Sequence, residues 1–66
     1  MHEGRHFRIL YILLNNERVT APELAEEFGV SVRTIYRDID TMSAAGIPIY
    51  MQGGRKGGIY LWRDIG

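Results

Sequence analysis

Residues 19–50 read VTAPELAEEFGVSVRTIYRDIDTMSAAGIPIY, and the spacing within this stretch decides the fold. Thr20 is followed three residues later by Glu23, an arrangement in which the hydroxyl caps a first-turn amide while the carboxylate reaches back to the cap's own N–H. Pro22 is tolerated there because first-turn amides have no partner inside the helix. A helix over about 21–28 is expected, with Leu24, Ala25 and Phe28 facing inward, until Gly29 takes up the left-handed conformation that ends it. Ser31 offers a second N-cap, and Val32, Ile35, Ile39 and Met42 recur at spacings of three, four and three along one helical face. This second helix spans about 32–45 and closes at Gly46. Two capped helices separated by a turn of about three residues form a helix-turn-helix.

Upstream, a helix over about 4–16 carries two overlapping apolar stripes, Phe7, Leu10, Tyr11, Leu14 and His6, Ile9, Leu10, Leu13. Arg5, Arg8, Ile12 and Asn15 remain as its outer stripe, so the apolar arc is wider than one thin domain covers, and part of it is expected to meet another protein surface. Val19 makes a short extended lead into the next helix. Downstream, Pro48 blocks any return to helix, and Ile47, Ile49 and Met51 alternate as a strand does. After the loop Gly53–Gly58, Ile59 and Leu61 alternate with Tyr60 and Trp62 in a second strand. The wing so formed spans about 48–62. Tyr60 and Trp62 fall on its outward phase, where they either cover another domain or lie over the first helix. The expected fold is mainly α with a small β-hairpin: three helices plus a two- to three-stranded antiparallel wing.

With 66 residues there is room for one domain, 1–66, and a chain so short buries only about 60% of its unfolded surface. The absence of cysteine excludes disulfides and thiolate-bound zinc as staples. A hydrophobic content of 45% is that of a globular chain. The longest apolar run, Ile9 to Leu14, is far short of the roughly 20 residues of a membrane span, and no signal pattern precedes it, so a cytoplasmic location is the default.

The formal net charge is zero, yet its distribution matters more for a polyanionic partner. Glu23, Glu26 and Glu27 make the first motif helix acidic, whereas Arg33, Arg37, Arg55 and Lys56 form a later basic set, diluted by Asp38 and Asp40. A helix-turn-helix also serves as a plain packing unit. What points to DNA is the solvent face of the second helix, where Arg33, Tyr36, Arg37 and Asp40 cluster opposite an apolar face. Arginine bonds two guanine acceptors or a phosphate, and the hydroxyls of Ser31, Thr34 and Tyr36 suit phosphate or base edges near a helix N-terminus. At the hairpin tip, Arg55 and Lys56 suit backbone phosphate or the minor groove. The tip GGRKGG is not a nucleotide loop, since it lacks the Ser or Thr after the lysine and the helix that must begin there. His2 and His6 lack a third ligand or a nucleophile, and the three glutamates read as helix-dipole partners and solubilising charge, so no metal, cofactor or catalytic residue is assigned.

The stretch 19–50 followed by GGRKGGIYL resembles the N-terminal winged helix-turn-helix (HTH type 11) of bacterial DeoR-type regulators, especially those carrying a C-terminal WYL domain. Its most specific part is SVRTIYRDID, then the AGIPI turn and the glycine-rich wing. The resemblance implies a transcription regulator that binds double-stranded DNA, with Ser31, Arg33, Thr34, Tyr36 and Arg37 on the DNA-reading helix and Arg55 and Lys56 on the wing. Such regulators continue into a sensor and oligomerisation region. The chain is therefore expected to be a fragment of a longer, homodimeric regulator whose effector is bound elsewhere. Two other readings stand beside this one. A winged helix can serve protein association, here through Ile12, Tyr60 and Trp62, or form the regulatory head of a larger enzyme, as in bifunctional biotin ligases.

Overall fold

The capping signals are realised in the structure, a computed structural model that describes residues 2–16, 18–54 and 57–62, with side chains described from residue 4 onward. The elements are α1 (His2–Asn15), α2 (Ala21–Phe28), α3 (Val32–Ala44), β1 (Ile49–Gln52) and β2 (Gly58–Leu61). At the start of α2 the Glu23 N–H donates to Thr20 Oγ1 at 3.2 Å and the Thr20 N–H donates to Glu23 Oε1 at 2.8 Å, a complete capping box. Gly29 ends α2 at φ +66°, and the Val30 N–H turns back to the Ala25 carbonyl at 3.0 Å. At the far end of α3, Gly46 at φ +96° lets the Ile47 N–H reach the Met42 carbonyl at 3.1 Å and the Gly46 N–H reach that of Ser43 at 3.0 Å. Both terminations satisfy carbonyls that a helix end otherwise leaves without donors.

The hairpin is antiparallel, with Ile49 opposite Leu61 and Met51 opposite Ile59. Val19 adds a third, one-residue strand: its N–H donates to the Ile59 carbonyl at 3.2 Å, and the Ile59 N–H donates back at 2.7 Å. The link between α1 and α2 is thereby tied to the base of the wing. Ile9 and Leu13 of α1, Leu24 of α2, Ile35 and Met42 of α3 and Ile59 of β2 are the largest fully buried side chains, and Ile39, Ile49 and Val19 complete the core around them. The result is a winged helix-turn-helix of three helices and a two-stranded wing.

Two placements differ from the sequence reading, and a third settles which part of the wide apolar arc of α1 stays uncovered. Of the two stripes on α1, the one through Ile9 and Leu13 is buried, while Phe7, Tyr11 and Leu14 stay 74%, 68% and 53% exposed. The outer stripe is also reassigned. Ile12 is half-buried against the core, and Arg5 turns inward onto α3. On the hairpin, Met51 is exposed although it shares a face with buried Ile49 and Ile59. It lies on the outer strand, one strand further from the Val19 connector than Ile59.

Candidate nucleic-acid interface

The solvent face of α3 is built as its periodicity demands. Arg33, Tyr36, Arg37 and Asp40 are exposed, and Ile35, Ile39 and Met42 are buried on the other side. At the N-terminus of the helix, Ser31 Oγ accepts the Thr34 N–H at 3.1 Å, and the two hydroxyls lie 3.1 Å apart, within hydrogen-bond reach of each other. Ser31 therefore holds the start of α3 before it does anything else, and half-buried Thr34 is tied to it. One turn before the end of α3, the Thr41 hydroxyl donates to the Arg37 carbonyl at 2.9 Å.

Asp38 does not lie among the outward charges of α3. It is 5% exposed and turned toward α1, where Arg5 Nε pairs with Oδ2, Arg5 Nη2 donates to Oδ1 at 3.1 Å and His6 Nε2 lies 3.2 Å from Oδ1. Burial pushes the Asp38 carboxyl up, but hydrogen bonds from Arg5 and His6, followed by their charges, outweigh it and hold the pKa below the ordinary carboxylate value. The same hydrogen bond raises the Arg5 guanidinium against its own desolvation. The outward face of α3 thus carries two arginines against Asp40, and the buried face is not wholly apolar as its spacing suggested. A sign of this was present in the sequence. Asp38 is three residues from Ile35 and four from Met42, which places it at the margin of the buried arc. That Arg5 and His6 would meet it, more than thirty residues away in sequence, had no local signal.

On the wing, Arg55 and Lys56 lie outside the described residues. Beyond them, Arg18 braces the start of β2: its Nη1 donates to the Gly57 carbonyl at 3.4 Å and its side-chain stem packs over Gly58. Close packing explains Gly57. A Cβ on Gly57 would stand 2.6 Å from the Gln52 carbonyl oxygen and 2.9 Å from that of Gly54. On the outward face, Tyr50 stacks on Tyr60 with centroids 5.2 Å apart and meets Trp62 edge-on at 5.8 Å. Tyr60 and Trp62 were expected on this phase. Tyr50, which joins them across the register, was not.

A family model described as HTH domain matches residues 5–60. The chain is similar to the uncharacterized HTH-type transcriptional regulator YobV of Bacillus subtilis (strain 168), at 53% identity over 55 residues. That match covers 83% of this chain but 18% of the relative, so the chain spans less than a fifth of the relative's length. No solved structure matches the chain.

Proposed function

The chain belongs to the HTH domain family, and from that premise we propose that it is the sequence-specific, double-stranded DNA-binding domain of a bacterial transcription regulator of the DeoR type with a WYL domain. The observation that carries this reading is the outward face of α3, where Arg33, Tyr36 and Arg37 project from a helix capped at both ends and packed across α2. Inserted in the major groove, Arg33 and Arg37 read guanine edges, and Tyr36 contacts an edge or a phosphate beside them. Ser31 and Thr34 face phosphate at the N-terminus of α3, where the helix dipole favours an anion. Arg55 and Lys56 on the wing add contacts to backbone or minor groove that are independent of sequence.

With no net charge, one copy binds weakly, and a homodimer reading two half-sites about one or more helical turns apart supplies the affinity. The name of the YobV relative supports a regulatory role, and any effector is bound by a region outside the 66 residues. Among the described residues no helix is long and apolar enough to cross a membrane. The reading needs neither catalysis nor a cofactor. The exposed stripe Phe7, Tyr11, Leu14 supports protein contact by α1 alongside DNA binding, and it replaces Ile12 as the surface for that contact.

The test is selection of duplexes from a randomised pool, followed by affinity measurement for selected and random sequences. Arg33→Ala and Arg37→Ala should each lose about 5- to 150-fold on the selected duplex, the equivalent of one bidentate guanine pairing, and far less on random DNA. Unchanged affinity on both duplexes would remove α3 from the interface.

A further inference from the structure

The Arg5–Asp38–His6 cluster lies at the foot of an open cleft of about 360 Å³ on the flank of α3, lined by Arg5, His6, Thr34, Arg37, Asp38 and Thr41. Three features of this cleft point to an anion. Among the described residues its formal charge is positive, since Arg5 and Arg37 face Asp38 as the one carboxylate in the described lining, and that carboxylate is buried and already bonded to Arg5 and His6. Arg5 sits in the first turn of α1, where the helix dipole opposes a cation and favours a negative group. The Arg5 and His6 side chains remain 17% and 21% exposed, so the cleft reaches water over them rather than closing into the core.

We propose that this cleft is a second phosphate-binding site of the domain, in which Arg5, His6 and Arg37 close on a backbone phosphodiester beside α3 while Asp38 holds Arg5 in place. The inference rests on α3 entering the major groove, because Arg37 then belongs both to the groove-facing surface and to the cleft wall. Phosphate contacts fix the register of a protein on its duplex without reading sequence. A site shared by α1 and α3 sets the angle at which α3 enters. Asp38 acts as a positioning residue. A surface arginine loses rotamer freedom when it binds, and the two-point pairing with Asp38 imposes that loss before DNA arrives.

A charge-neutral double substitution separates this role from a purely structural one. Arg5→Met with Asp38→Leu removes one cation and one anion, and exchange of a buried ion pair for apolar groups commonly preserves a fold. Binding of the 66-residue chain to a random-sequence duplex is measured across a salt series. The double variant should show a slope of log K against log salt shallower by up to about 0.9, because Arg37 then faces the phosphate without Arg5 and neutralises it less completely, although net charge is unchanged. An unchanged slope in a folded variant overturns the proposal. Absence of salt-dependent binding by the wild-type chain overturns the DNA-binding reading itself. If the double variant does not fold, the side-chain Nε–Hε resonance of Arg5 in the wild-type protein decides. It should shift on duplex addition while that of Arg8, on the Phe28 side of α1, stays in place; an unmoved Arg5 signal refutes the site.

Discussion

Replacing Asp38 by alanine should destabilise the domain out of proportion to the apolar surface removed. The carboxylate accepts two bonds from Arg5 and faces His6, and its removal takes both of those bonds from the charged Arg5 guanidinium. Breaking a fully buried pair in this way costs about 3–5 kcal/mol. Arg5 and His6 are 17% and 21% exposed and recover some hydration, which brings the expected cost to about 2 kcal/mol. A 66-residue domain has about 3–10 kcal/mol in total, so the loss is a large fraction of it. At about 4–8 °C per kcal/mol, Tm should fall by about 8–16 °C in a circular-dichroism melt at neutral pH. The pH dependence supplies a second arm. Asp38 has a folded pKa below its unfolded value, so its contribution is complete above the unfolded pKa of about 3.9 and is lost as pH falls through the folded value. Acidification below about pH 4 should therefore narrow the gap between wild type and Asp38→Ala. A neutral-pH melt within about 3 °C of wild type, or a gap that widens in acid, would refute the reasoning.

Thr20→Ala should cost about 1 kcal/mol through loss of the cap on α2, read by chemical denaturation. Thr20's backbone N–H and then its hydroxyl lower the Glu23 pKa, so the substitution should raise the Glu23 carboxyl only part of the way back in an NMR titration, because residue 20 keeps its N–H. Gly57→Ala forces a methyl group against the Gln52 and Gly54 carbonyl oxygens and should cost about 1–3 kcal/mol; an unchanged denaturation midpoint would contradict the tight packing of the wing loop. Phe7→Ser with Tyr11→Ser should alter unfolding free energy by no more than about 0.5 kcal/mol per site while abolishing self-association that persists at high salt, as read by light scattering. Wild-type chain that stays monomeric under those conditions would count against α1 as a contact surface for a second copy.

The positions of α2 and α3 were legible because their signals act over five residues or fewer. Thr20 with Glu23, Ser31 with Thr34, and Gly29 and Gly46 each close hydrogen bonds with backbone close by in the chain, and those bonds appear where the spacing put them. The same holds for the outward face of α3, since helical geometry places Arg33, Tyr36, Arg37 and Asp40 together whatever surrounds them. Contacts between distant segments settled the rest. Both stripes on α1 satisfy the helical period equally, and the burial of Ile9 and Leu13 instead of Phe7 and Tyr11 followed from where α3 and β2 pack. Asp38 reads as one more surface charge until Arg5 and His6 arrive from the other end of the chain. Met51 has a strand residue's alternation, but the core reaches the outer strand only at Ile49. Local hydrogen bonding and side-chain period are properties of adjacent residues and survive without a fold. Burial and the pairing of charges depend on what lies across the core, which a 66-residue chain defines only when all five elements are in place.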